Sequence, residues 1–145
     1  MDESAVQQLL GVTALGDHDH SGLECRWVAP RTETVLEVKV LDRLSVEKAT
    51  AQQQREVDQH ARISRPGVST VDPVPDVHDG GYLIDEGEQT YPDDAGGTVT
   101  GPRWRLDVRA GQLDVELVAF NFPLEAAQVP GALSKVVAEA LEAVK

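Results

Sequence analysis

Between Arg103 and Ala119 the chain changes polarity at almost every step. Trp104, Leu106 and Val108 alternate with Arg103, Arg105, Asp107 and Arg109; past a turn at Ala110 and Gly111, Leu113, Val115, Leu117 and Ala119 alternate with Asp114 and Glu116. A period of two gathers the apolar members on one side of an extended chain and would scatter them around a helix. This stretch therefore folds as two strands joined in a hairpin. One face of the hairpin needs an apolar cover. The other sets arginines against carboxylates, which predicts cross-strand ion pairing.

The same alternation occurs earlier. Leu23, Cys25 and Trp27 alternate with Glu24 and Arg26, and Leu36, Val38 and Val40 with Glu37 and Lys39; Pro30 lies in the connection. A second antiparallel pair is predicted. The apolar cover is found at the C-terminus, where Pro130 suits a first helical position and Leu133, Val136, Val137, Ala140, Leu141 and Val144 recur at helical spacing. Residues 45–62 also favour a helix, with a thin stripe of Val46, Ala49, Val57 and Ala61 that predicts a surface position. Ser4 and Gln7 have capping-box spacing ahead of Leu9, Leu10 and Gly11, predicting a short first helix. Tyr82, Leu83 and Ile84 form a short strand between two expected long loops, residues 64–81 with Pro66, Pro73 and Pro75, and the acidic residues 85–101.

These elements predict a single α+β domain over residues 1–145, a mostly antiparallel sheet of about five strands with helices packed on it. The core is expected to hold Trp27, Trp104, Leu36, Val38, Val40, Leu106, Val108, Val115, Leu117, Leu133, Val137 and Leu141. Cys25-Arg26-Trp27 and Arg103-Trp104-Arg105 each open a hairpin followed by a helix, an echo that would suit pseudo-duplicated halves.

A chain of 145 residues is long enough to bury a core without metal or disulfide staples. Its net charge of −12 repels phosphate backbones and anionic bilayers, so neither nucleic acid nor a membrane surface is an expected partner. No run reaches the roughly 18 apolar residues of a membrane span, and residues 1–20 show no basic region followed by an apolar one. Cys25 is the single cysteine, which rules out an intrachain disulfide and predicts a buried thiol.

Asp17-His18-Asp19-His20 is the densest run of metal-binding side chains. Its expected state is a solvated loop; a zinc-class ion, if one binds, would be held by His18 and His20. Asp76, His78 and Asp79 make half of an acid/base arrangement. Asp85, Glu86, Glu88, Asp93 and Asp94 miss the calcium-loop spacing, and their expected use is to attract a cationic protein surface. No nucleophile elbow or glycine-rich phosphate loop occurs in a strand–turn–helix context, so no cofactor and no catalytic residue is predicted.

Leu9-Leu10-Gly11, Cys25-Arg26-Trp27, Leu36-Glu37-Val38-Lys39-Val40, Tyr82-Leu83-Ile84, the strand starting at Leu113 and the C-terminal amphipathic helix together resemble a family of actinobacterial lipoproteins of unknown function. They also resemble the extracellular sensor domains of mycobacterial serine/threonine kinases. The resemblance implies a helix-backed sheet, an extracytoplasmic, lipid-anchored location if an N-terminal segment has been removed, and a binding or sensing role. The family's lipid-bearing cysteine and its partner for Cys25 have no counterpart in these 145 residues. The first reading is thus a non-enzymatic binding or sensing domain for a protein or small ligand. A cytoplasmic adaptor or secretion chaperone holding a protein partner is the alternative, and a metal-dependent enzyme acting through His18 and His20 the third.

Overall fold

The structure, a computed structural model, describes residues 17–21, 24–29, 34–63, 70–93 and 95–144, with backbone alone at 17–21 and 27–29. The strands are β1 (Asp17–Ser21), β2 (Glu24–Ala29), β3 (Thr34–Asp42), β4 (Thr70–Val74), β5 (Gly81–Pro92), β6 (Thr98–Ala110) and β7 (Leu113–Phe120); the helices are α1 (Val46–Ile63) and α2 (Val129–Ala143). The strands form one sheet of seven in the order β1-β2-β3-β7-β6-β5-β4, and every neighbouring pair is antiparallel. The α+β class is as the sequence predicts. The two additional strands are β1 and β4, five residues each, at the sheet edges.

Both predicted hairpins form, with Cys25 opposite Val38 and Leu106 opposite Leu117. In β3 buried and half-buried side chains alternate from Thr34 to Val40, the signature of a strand covered on one face. Its inward residues Leu36, Val38 and Val40 join Trp104, Leu106, Val108, Val115, Leu117 and Ala119 in one apolar cluster, closed by Leu133, Val136, Val137, Ala140 and Leu141 of α2. Every predicted core residue except Trp27 is in this cluster; the side chain of Trp27, like the first predicted helix and Leu23, lies outside the described residues.

α1 lies on the opposite face. Its buried residues, Ala49, Gln53 and Val57, recur every four positions, and Gln53 Nε2 donates to Asp107 Oδ1 at 3.1 Å, a carboxylate on the side of β6 facing away from Leu106 and Val108. The sheet is therefore sandwiched, with α2 on its apolar face and α1 on its charged one. This limits the echo between halves. Strands β1-β2-β3 do mirror β5-β6-β7 about the β3–β7 pair, with β4 left over, but a two-fold axis through that antiparallel pair would keep both helices on one face.

Two expected loops turn out to contain strands. β4 lies within the proline-rich stretch at 64–81, and the acidic stretch at 85–101 is mostly a continuation of the β5–β6 hairpin. A bulge between Asp85 and Glu88 takes up Glu86 and Gly87, and pairing then resumes from Glu88–Pro102 to Pro92–Thr98. The threonine hydroxyls of Thr90 and Thr100 meet at 2.7 Å across this arm, and the Tyr91 ring stands edge-on to Phe120 with centroids 5.0 Å apart. Gly101 is required there because Asn121 Oδ1 fills the space a Cβ would need.

Trp104 is 6% exposed and belongs to the apolar cluster that α2 closes. Trp104→Ala is expected to cost about 3–5 kcal/mol, read as a lower chemical-denaturation midpoint; wild-type stability would show that the ring does not anchor the core.

Candidate functional site

The turn at Gly111 and Gln112 fixes the β6–β7 register, which sets Asp107 opposite Glu116 and Arg109 opposite Asp114. The predicted cross-strand ion pairing is thus not made at Asp107, where acid faces acid. Arg105 and Arg103 turn instead to Glu86 at the β5 bulge, and Arg109 to Asp79 in the β4–β5 turn, at 3.7 Å.

α1 adds a further carboxylate above the same spot. Glu56, Asp107, Asp114 and Glu116 each bring one oxygen to a group in which all lie within 4.8 Å of one another. Asp107 and Asp114 are 2% and 0% exposed. Their countercharge is Arg43, at the corner between β3 and α1. Its backbone N–H donates to the Gln112 carbonyl at 3.0 Å, which turns the side chain under the helix. There Nε and Nη2 donate to Asp114 Oδ2 at 3.3 and 3.1 Å, Nη2 also to Glu116 Oε1 at 3.4 Å, and Glu56 Oε1 lies at 4.0 Å. The corner is held by Asp42, whose Oδ1 accepts from the Leu44 N–H, and by Ser45, whose Oγ caps α1 through the Lys48 N–H at 3.1 Å. Leu44 itself is left-handed, with φ 70°, a strain of about 1 kcal/mol or more held in place by these contacts.

Four carboxylates against one guanidinium leave a formal excess of three negative charges. At an effective dielectric constant near 20, each ionised pair at this separation repels by at least about 3 kcal/mol. The cluster responds by holding protons. Burial, reinforced by the Glu56 and Asp114 carboxyls, pushes Asp107 up to about 9. Burial also raises Asp114, against the pull of Asp107 and Arg43, and raises Glu116, helped by the Glu56 and Asp114 charges. Glu56 is lowered: burial works against its charge, but hydrogen bonds from Asp107 and Gln52 and the Arg43 charge outweigh it. Apart from the protons held within the cluster, Asp107 Oδ2 and Asp114 Oδ1 are buried with no hydrogen-bond donor among the described residues.

The residues singled out from sequence lie elsewhere. His18 and His20 are on edge strand β1, opposite Trp27 and Cys25, not in a loop; β1 is three strand spacings, about 14 Å, from β7. Of the acidic residues, Glu86 is committed to Arg103 and Arg105, Asp85 Oδ1 accepts from the Gly87 N–H, and Asp93 Oδ1 from the Ala95 and Gly97 N–H groups. Glu88 points to solvent, and Asp94 lies outside the described residues. Asp79 Oδ2 accepts from the Gly111 N–H at 2.6 Å, so it fastens two turns together, and His78 is exposed on one of them with φ 47°. Cys25 is half-buried against the core, its thiol raised chiefly by burial and so a weak nucleophile.

A raised carboxyl binds its proton in the native state while the unfolded chain has lost it, so stability falls as pH climbs from about 4 towards about 9. The denaturation midpoint is expected to be lower at pH 8.5 than at pH 5.5. Asp107→Asn should flatten that slope, and an unchanged slope would mean that Asp107 is not the proton holder.

No helix among the described residues is long and apolar enough to cross a membrane. No protein-family model and no curated protein matches the chain. Among solved structures, a crystal structure of a Bacteroides thetaiotaomicron protein is similar over 81% of this chain, with a TM-score of 0.43 and 8% identity; the chain spans 40% of that protein's length.

Proposed function

We propose that the chain is a non-enzymatic binding or sensing domain in which α1 is the responding element and the carboxylate cluster beneath it the ligand-facing surface. The observation that carries this reading is the unequal anchoring of the two helices. α2 buries Val129, Leu133, Val136, Val137, Ala140 and Leu141, whereas α1 buries only Ala49, Gln53 and Val57. At about 1.5–3 kcal/mol per large aliphatic side chain, α2 is held by on the order of 10 kcal/mol of apolar burial and α1 by about 3. The remaining hold on α1 is polar: Gln53 to Asp107 and to the Gly80 carbonyl, and Glu56 beside Arg43. A helix held chiefly by charge is sensitive to whatever changes the charge beneath it.

The envelope setting proposed for the domain rests on the sequence likeness to actinobacterial lipoproteins. That likeness implies a binding role and carries over no catalytic residue.

Native-state hydrogen exchange tests the reading. Amides of α1 are expected to exchange through a local opening well below the global unfolding free energy, and those of α2 only on global unfolding. Arg43→Ala should change protection in α1 and leave the rank order of α2 intact. Equal opening energies for the two helices would remove α1 as an independent element.

A further inference from the structure

We propose that the oxygens of Glu56, Asp107, Asp114 and Glu116 form a binding site for one calcium ion between α1 and the charged face of the sheet. The inference rests on the sensing reading for the role of α1 and names the ligand of that same surface.

The first argument is donor chemistry. The group is all oxygen, four carboxyls with no imidazole or thiolate among the described residues that compose it, and such a set, on giving up the protons it holds, selects hard divalent cations. The second is size. Calcium binds oxygens at about 2.3–2.6 Å, so oxygens on opposite sides of the ion stand about 4.6–5.2 Å apart; for magnesium the span is about 4.0–4.2 Å. Oxygens that all lie within 4.8 Å of one another fall inside the calcium span without rearrangement, and a pair at that limit is too far apart for magnesium. The third is orientation. Asp107 and Asp114 are almost wholly buried, and one oxygen of each, Oδ2 and Oδ1, meets no N–H or alcohol donor among the described residues, its hydrogen bonding being left to the carboxyls of the cluster. Their other oxygens are engaged, Asp107 Oδ1 by Gln53 and Asp114 Oδ2 by Arg43, which fixes the two carboxyls in the way outer partners fix metal ligands.

The ligands also come from distant parts of the chain. Asp107 lies on β6, Asp114 and Glu116 on β7 and Glu56 on α1, so an ion held by all four ties the helix to the sheet. Glu56 and Glu116 retain 23% and 18% side-chain exposure, leaving an opening through which water can reach the ion and complete a coordination shell of six to eight, the usual range of about that size. Arg43, whose Nη2 donates to Asp114 Oδ2 and Glu116 Oε1 and lies 4.0 Å from Glu56 Oε1, neutralises part of the excess charge, and an ion entering the cluster competes with it for those oxygens.

The test uses the intact chain freed of metal. Calorimetric titration with calcium chloride is expected to give one ion per chain, with magnesium weaker. Substoichiometric manganese, a paramagnetic stand-in, should broaden amide resonances at Gln53–Val57, Asp107 and Asp114–Glu116, and calcium should restore them. Asp107→Asn keeps the Gln53 contact and Glu116→Gln lies at the open rim; each should weaken calcium by at least about tenfold while far-UV circular dichroism stays unchanged. Should Asp107→Asn fail to fold, Glu116→Gln carries the comparison. The proposal is overturned if no calcium binds up to about 10 mM, beyond the range of weak extracellular calcium modules, if broadening centres on Glu88 and Asp93, or if both variants bind as wild type does. Calcium binding with unaltered exchange in α1 would overturn the sensing role and leave the site standing; local opening of α1 without calcium binding would overturn the site alone.

Discussion

The register between β6 and β7 is the constraint on which the remaining architecture depends. With Ala110 opposite Leu113, every later pair follows, and Leu106–Leu117 and Val108–Val115 fall on one face while Asp107–Glu116 and Arg109–Asp114 fall on the other. A shift of one residue would exchange the faces. The apolar face is satisfied by α2, a helix with enough large side chains to close it. The charged face cannot be covered in that way, and α1 is built to suit it: one small aliphatic residue, one amide and one branched aliphatic residue on successive turns, with Glu56 beside them.

Much of this was legible in the sequence. Strict alternation in 104–108 and 113–119 gave the hairpin and its core members, and the helical spacing of Leu133 to Leu141 gave the cover, because burial on one face leaves a periodic trace that does not depend on the rest of the chain. The arm at 88–102 was obscured by its composition. Gly87, Pro92, Gly96, Gly97, Gly101 and Pro102 read as loop residues, yet they serve a bulge, a turn and one tight approach to Asn121 within a continuous hairpin. The edge strands were hidden too: β1 is all polar, and in β4 Pro73 interrupts a strand-like run.

The carboxylate cluster was missed for a different reason. Asp107, Asp114 and Glu116 were visible as the polar members of an alternating pattern, and a polar position on a strand ordinarily faces water. What buries them is α1, whose thin apolar stripe gave it a surface place. The clue was Gln53, at the spacing of Ala49 and Val57 but polar, which marks a helix face meeting polar atoms. The register needed to oppose Asp107 and Glu116 could also be counted from a two-residue turn at Gly111. Arg43 had no such signal: its role comes from the Leu44 corner, which no spacing rule reveals.

Among the described residues the sheet is open, and an open sheet has two borders at which further strands could add. Here both border strands are only five residues long, and β4 carries Pro73, which lacks an amide hydrogen to offer a newcomer. Growth by strand addition is therefore poorly supported on the β4 side, a safeguard against self-association for a chain whose central strands are long and regular.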